Sequence, residues 1–512
     1  MYPGTFAATT PDKAALIRPS TGERVSYRQL TDNSTRIAHH LRELGIGEGD
    51  TIAVVSDNDL RVFDVYWAAI RSGMYVTVVN HHLTPTEVNY ILDDCGAQVL
   101  FAASSVGPAV SRAHEVGRLA DESRRIAWDG IAGFADYAQI LDAASAQPLS
   151  DQPRGTDMLY SSGTTGKPKG IKPNLPGVQV TEAPDMITAV FGPVYGFEAD
   201  SVYLSPAPVY HAAPLRYCAM VNSVGGTVIL MDRFDPEEAL SLIQEYRVTH
   251  SQWVPTMFVR MLKLPDEVRA RYDVSSMQAA IHAAAPCPAE VKKAMIEWWG
   301  PVINEYYAAT EAAGVTLIGS QESLERPGSV GRSVLGPLHI CDDDGNDLPT
   351  GDVGVVYFER EEMPFRYHND PEKTASAQHP LHPSWATTGD LGYLDEDGFL
   401  YLTDRKAFVI ISGGVNIYPQ EAENILINHP AVYDVGVIGV PDDDLGEVAA
   451  GYVQLADGAQ RSPELAAELL EYTASRLAAY KVPRSISFVD ALPRTPTGKL
   501  VKGELRKQVL GD

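Results

Sequence analysis

Tyr160–Gly170 reads Tyr-Ser-Ser-Gly-Thr-Thr-Gly-Lys-Pro-Lys-Gly and follows the apolar Met158–Tyr160. Two serines, two threonines, three glycines and two lysines share these eleven positions. Glycines let backbone N–H groups turn toward an anion, hydroxyls add donors, and lysines add charge. The stretch has the chemistry of a phosphate cradle. It is not a Walker A loop, which needs G-x-x-x-x-G-K-[ST], because Lys167 is followed by Pro168. The bland alternative, which suits most Gly/Ser-rich stretches, is a flexible solvated loop.

Outward from the cradle, helix-like and strand-like segments alternate. Upstream, Tyr27–Leu44 carries apolar residues at helical spacing, Thr51–Val55 reads as a buried strand, Asp59–Ser72 as helix and Tyr75–Val79 as strand. Downstream come the strand Thr227–Met231 and the helix Asp235–Tyr246. That helix has Asp235 as N-cap, Pro236 at its first position and Glu238 placed to close a capping box. Pro288–Trp299 reads as helix and leads to Pro301–Tyr307. Such βαβα order predicts parallel sheets covered by helices. Gly45-Ile46-Gly47-Glu48-Gly49 has the wrong spacing for a dinucleotide fingerprint and lies between a helix and a strand, so it reads as a plain turn.

Beyond Thr403 the pattern changes. Val432–Val440 and Glu447–Leu455 read as strands of a small sheet, Pro463–Tyr480 as one amphipathic helix and Ser485–Val489 as a further strand. The expected fold is α/β: a large N-terminal domain of several subdomains with helix-covered sheets, residues 1–403, and a small mobile α+β C-terminal domain, residues 404–512.

The 512 residues include 41 basic and 67 acidic side chains, a net charge of −26, which argues against DNA or an acidic membrane surface as main partner. It leaves room for a small anion in a local basic pocket. Cys95, Cys218, Cys287 and Cys341 lie far apart, so neither a zinc knuckle nor a disulfide scaffold is indicated. No signal-like segment precedes Lys13, and no apolar run reaches the ~18 residues of a membrane helix. The expectation is a cytoplasmic protein with no integral membrane segment.

The string Tyr160–Gly170 resembles the signature loop of the adenylate-forming (ANL) superfamily, which includes acyl-CoA synthetases, aryl-CoA ligases, luciferases and peptide-synthetase adenylation domains. Tyr307-Ala308-Ala309-Thr310-Glu311 resembles the family's Y-G-x-T-E element, with Ala308 in place of the usual glycine. Thr388-Gly389-Asp390 resembles its T-G-D, and Asp404-Arg405-Lys406 opens the junction motif, which Ile410–Glu423 continues. Pro496-Thr497-Gly498-Lys499 resembles the C-terminal lysine loop. The resemblance spans nearly the whole chain and is nearest to the bacterial fatty-acyl-CoA synthetase, or acid–CoA ligase, type.

The resemblance implies roles that chemistry supports. Activating a carboxylate with ATP brings two anions together, so the site must neutralise developing charge. Lys499 would bridge the acyl carboxylate and the α-phosphate, as a compact point charge. Ser161, Ser162, Gly163, Thr164, Thr165, Gly166, Lys167 and Lys169 would hold phosphates. Glu311 would hold Mg²⁺, a hard cation suited to carboxylate and phosphate oxygens. Thr310 would donate to phosphate; Thr310-Glu311 also reads as a helix N-terminus.

Asp390 would accept from the ribose hydroxyls, or be a turn residue, and Arg405 would add a donor. Tyr307 would be the adenine platform, with Ala285-Pro286 as the opposite wall. His211 resembles the gate beside the acyl carboxylate, and is otherwise a structural histidine. Gly413 and Gly414 would approach the pantetheine arm of CoA, or form a tight strand connection. Ala407 departs from the polar residue common at the hinge, which puts the usual hinge contacts in doubt.

The implied reaction is ATP-dependent acyl-CoA synthesis: carboxylic acid plus MgATP gives acyl-AMP and pyrophosphate, then CoA gives acyl-CoA and AMP. A stand-alone amide synthetase, passing the acyl-AMP to an amine, and a nucleotide-binding homologue without turnover are the competing readings. Apolar candidate pocket segments (Met186–Phe197, Val209–Tyr217, Trp253–Phe258, Ile281–Ala284) favour a fatty, aromatic or alicyclic monoacid. A homodimer is a family-level expectation.

Overall fold

The run Thr51–Val55 is buried at every position and lies parallel between Tyr75–Val79 and Ala97–Ala103. A strand covered on both faces must be apolar throughout, which is why this one reads so plainly. Helix Tyr27–Glu43 begins with a capping box, in which the Ser26 hydroxyl accepts from the Gln29 amide at 3.2 Å and the Gln29 side chain accepts from the Ser26 amide at 2.9 Å. Its apolar face buries Leu30, Ile37 and Leu41. The glycines after it, Gly45 (φ 75°) and Gly49 (φ 85°), make the helix-to-strand turn.

The computed structural model describes residues 2–161, 168–442, 444–495 and 500–511. Most of the cradle, Ser162, Gly163, Thr164, Thr165, Gly166 and Lys167, and the catalytic candidate Lys499 lie outside the described residues. The chain forms two compact units.

The first unit comprises residues 1–253, 263–281 and 364–375. One sheet has the order Ala135–Asp136, Arg125–Trp128, Ala97–Ala103, Thr51–Val55, Tyr75–Val79, Thr156–Asp157, with parallel neighbours throughout. In another, His250–Trp253, Val202–Ser205, Thr227–Leu230 and Ala14–Arg18 run parallel, with Glu23–Ser26 antiparallel at the edge. Leu159–Ser161, Lys169–Pro173 and Phe365–Tyr367 form a small antiparallel sheet in which Ser161 opposes Lys169. The strands flanking the cradle are thus adjacent partners.

The second unit comprises residues 254–262, 282–363 and 376–512. Its antiparallel strands follow the order Leu338–Cys341, Gly354–Phe358, Asp390–Leu394, Leu400–Arg405, Ser329–Ser333, Val315–Ile318, Ile303–Ala308. After Arg405 a separate sheet begins: Val415–Ile417, Ile410–Ser412, Gly446–Leu455 and Val432–Asp442, with Ser485–Val489 added parallel to Gly446–Leu455. Leu426, Val435, Val437, Val453 and Leu469 form its core.

Two local expectations are corrected. The predicted single helix over 463–480 stops at Ala474, and a separate 3-10 turn, Ala479–Lys481, follows. The amides of Arg476 and Leu477 both bond the Thr473 carbonyl, which closes the helix. Asp235 does cap its helix, accepting from the amides of Glu237 and Glu238, but Glu238 returns no bond to it. Glu238 is exposed, so water offers its side chain the partner that the Asp235 amide would have been. Among the described residues no helix is long and apolar enough to cross a membrane.

Candidate active site

Asp390 begins the strand Asp390–Leu394, and Arg405 ends the neighbouring Leu400–Arg405 directly opposite it. That register brings the guanidinium to the carboxylate, Nε donating to Oδ1 at 3.0 Å. Tyr307, near the end of Ile303–Ala308, donates its hydroxyl to Asp390 Oδ2 at 2.6 Å, and Thr388 donates to the same oxygen at 2.7 Å. Gly389, at φ 80°, makes the turn between Thr388 and Asp390 possible, and its amide bonds the Thr387 hydroxyl at 3.0 Å. Asp390 is buried, so these donors replace the water it loses. Among the described residues three donors meet this carboxylate, from Tyr307, Thr388 and Arg405.

The same bonds orient the proposed adenine platform. The Tyr307 hydroxyl is pinned by Asp390, and its ring lies 6.1 Å from that of Phe358. Phe358 packs so closely on Gly314 that a Cβ there would stand 1.9 Å from the ring. Burial, followed by the Asp390 charge, raises the Tyr307 hydroxyl well above its ordinary value, so it remains a donor. Burial opposes the Arg405 charge, but Asp390, Tyr307 and Glu311 outweigh it and hold the guanidinium above its ordinary value.

Thr310 and Glu311 lie in a turn after Ile303–Ala308, not at a helix N-terminus as one reading had it. The turn is closed by the Ala312 amide on the Ala309 carbonyl at 3.0 Å, with Ala312 at φ 54°. Glu311 is partly buried within electrostatic reach of Arg405. Among the described residues no cluster of three or more metal-ligating side chains occurs. One carboxylate suits Mg²⁺ only where nucleotide phosphates and water complete the oxygen shell.

Ala285 lies on the loop between His282 and the helix Ala289–Trp299, beside Ala284 at φ 75°. The loop rests on a buried ion pair between Lys292 and Glu305, with His282 Nδ1 3.9 Å from the same carboxylate. Glu305 and Tyr307 point to the same face of one strand. Sequence reading missed this support, since neither Lys292 nor Glu305 falls in a motif. Thr388 was visible as part of Thr388-Gly389-Asp390, but its donor role was not.

His211, in the first unit, is the N-cap of the helix Ala212–Val224, and burial pushes its imidazole down to about 4. Its Nε2 is enclosed without a hydrogen-bond partner among the described residues. Lys169 and Ser161 face each other across the base of the cradle. Gly413 and Gly414 are the two central residues of the hairpin joining Ile410–Ser412 to Val415–Ile417, at φ 56° and 81°. A two-residue hairpin turn with both φ positive already calls for glycine, whatever else approaches them.

The AMP-binding enzyme family matches residues 5–367, and the AMP-binding enzyme C-terminal domain matches residues 421–499. Feruloyl-CoA synthase of an Amycolatopsis species is 34% identical over 99% of this chain and 98% of its own. The long-chain-fatty-acid–CoA ligase FadD13 of Mycobacterium tuberculosis is 32% identical over 98% of this chain and 96% of its own. Among solved structures, ATP-bound MatB from Rhodopseudomonas palustris superposes with a TM-score of 0.83 at 27% identity, covering 99% of both chains. The amide bond synthetase McbA from Marinactinospora thermotolerans does so with a TM-score of 0.81 at 27% identity, covering 97% of both. Together with the motifs that end at Asp390 and Arg405, these likenesses place the chain in a known class: it belongs to the AMP-binding enzyme family of the adenylate-forming superfamily.

Proposed function

We propose that the protein is an AMP-forming acyl-CoA synthetase acting on an apolar monocarboxylic acid. The observation that carries this reading is the Asp390 carboxylate held by Tyr307, Thr388 and Arg405, a nucleotide-shaped constellation in a chain similar over its length to named CoA ligases. Tyr307 and Ala285 hold the base, Asp390 and Arg405 the ribose, and residues 161–167 with Lys169 the phosphates. Mg²⁺ bound with the triphosphate would neutralise phosphate charge, with Glu311 as its protein ligand. His211 stays neutral beside the acyl carboxylate, and Lys499 joins carboxylate and α-phosphate as charge develops.

In this reading residues 404–512 form a lid that brings Lys499 in for adenylation and Gly413-Gly414 to the thiol arm for thioester formation. Feruloyl and long-chain fatty acyl ligases among the relatives support an apolar acid. The similarity to an amide bond synthetase supports the second reading, transfer of the acyl-AMP to an amine.

Pyrophosphate release with fatty, aryl and alicyclic acids, with and without CoA and with products identified by mass, tests both. CoA-dependent acyl thioester is the expected product. Acyl-AMP that persists with CoA but is consumed by amines would replace this reading with the second. Lys499→Ala is expected to abolish acyl-AMP formation; full retention would refute the assigned role.

A further inference from the structure

Lys172 stands directly opposite Arg366 across the antiparallel pair Lys169–Pro173 and Phe365–Tyr367. Like charges facing each other across a sheet repel and weaken it. Strand alternation places Tyr160, Gly170, Lys172, Arg366 and His368 on one face. The ladder continues past the strand end, the His368 amide bonding the Gly170 carbonyl at 2.8 Å. Gly170 leaves the middle of this face without a side chain, and a Cβ there would stand 2.9 Å from the Tyr160 ring.

The charges around this face do not balance. The Lys172 ammonium sits 4.6 Å from the centroid of the Tyr75 ring, whose hydroxyl donates to the Pro173 carbonyl at 2.9 Å. Burial and the Arg366 charge hold Lys172 below its ordinary value. Burial and Lys172 likewise lower His368, with Asp94 opposing. Asp94 is already engaged, accepting from the Tyr160 hydroxyl and from Asn369 Nδ2 at 3.2 Å. Cys95, buried just after the helix Pro85–Asp94, is held protonated by burial, pushed up to about 12. Among the described residues no carboxylate lies within ion-pair distance of Lys172 or Arg366. In a chain of net charge −26, two cations have been set against each other where acids were plentiful.

We propose that Lys172 and Arg366, flanked by His368, bind the phosphate groups of a co-substrate. Neither residue belongs to the cradle string, yet both lie on the sheet that carries its two ends. The lysine supplies a compact charge and the arginine a fork that matches two phosphate oxygens. An arriving phosphate converts their repulsion into shared attraction. Two sources fit this chemistry: the phosphates of CoA, an assignment that rests on the function proposed above, and the triphosphate of ATP, which does not depend on CoA.

The test is calorimetric titration of the full-length protein, Lys172→Met, Arg366→Gln and the double variant with adenosine 3′,5′-bisphosphate and, separately, pyrophosphate at low salt. At least tenfold weaker binding of either probe in the double variant, with a melting temperature equal to or above that of the parent, is the expected result. Equal affinity of all four proteins for both probes would overturn the proposal, as would binding lost only together with the melting transition. The source is then read from kinetics: a tenfold rise in KM for CoA but not for dephospho-CoA assigns the CoA 3′-phosphate, and a rise in KM for ATP assigns the triphosphate. If no acid yields a thioester, the CoA reading fails while the titrations still judge the site.

Discussion

Asp64 and Asp390 are both buried carboxylates, one in each unit, and each accepts from a tyrosine hydroxyl. Asp64 takes Tyr137 at 2.8 Å and Asn33 at 3.0 Å on a single oxygen, and its other oxygen has no partner among the described residues. Asp390 takes Tyr307 and Thr388 on one oxygen and the Arg405 cation on the other. Burial pushes Asp64 up to about 7, against the lowering effect of its two neutral donors. At Asp64 two neutral hydrogen bonds do not repay the desolvation of a charge. Asp64 is therefore held by neutral donors alone, whereas Asp390 also meets a cation.

The largest effect expected from this contrast is on stability against pH. The folded protein holds the Asp64 proton to about 7, while the unfolded chain releases it in the ordinary carboxylate range. Between those limits the native state binds more protons, so the Asp64 contribution falls as pH rises and is spent above about 7. A displacement of about three units corresponds to about 4 kcal/mol. Asp64→Asn keeps the neutral shape and removes this slope. Urea unfolding of both proteins at pH 5 and pH 8 measures it, and a parallel pH response of the two would erase the distinction drawn here.

Next in size is Asp390→Ala, which leaves Tyr307, Thr388 and Arg405 without their common acceptor. Acyl-AMP formation is expected to fall about 100-fold or more, as for loss of a preorganised polar contact in an active site. Single-turnover pyrophosphate release checks it; a loss under threefold would make Asp390 as dispensable to chemistry as Asp64. The smallest effect is that of Tyr307→Phe, which keeps the ring and removes one donor, worth about 1 kcal/mol. The expected reading is a rise of about fivefold in KM for ATP with little change in kcat.

The contrast also shows which features a sequence can display. Thr51–Val55 and Tyr75–Val79 were read at their observed bounds, because burial on both faces leaves no choice but an apolar run. Asp235 announced its helix through local capping, which needs only neighbours in sequence. The helix expected over 463–480 ends earlier, because apolar residues continue past Ala474 while the chain turns on the Thr473 carbonyl. At the site, the residue types of Tyr307, Thr388, Asp390 and Arg405 were legible as motifs. Their meeting on one carboxylate was not, because it depends on strand register between distant segments. Lys292 with Glu305, and Lys172 with Arg366, carried no local signal at all.

The sequence by itself determined the membership of the chain in its family, the alternation of strands and helices, and the kinds of side chain offered to a nucleotide. Those features follow from local spacing and chemistry. Only the tertiary structure decided that Tyr307, Thr388 and Arg405 meet on Asp390, that Asp64 holds its proton up to about 7, that Thr310-Glu311 is a turn and that two cations face each other at Lys172 and Arg366. Each is set by desolvation and by register between segments far apart in the chain, and neither quantity exists until the chain has folded.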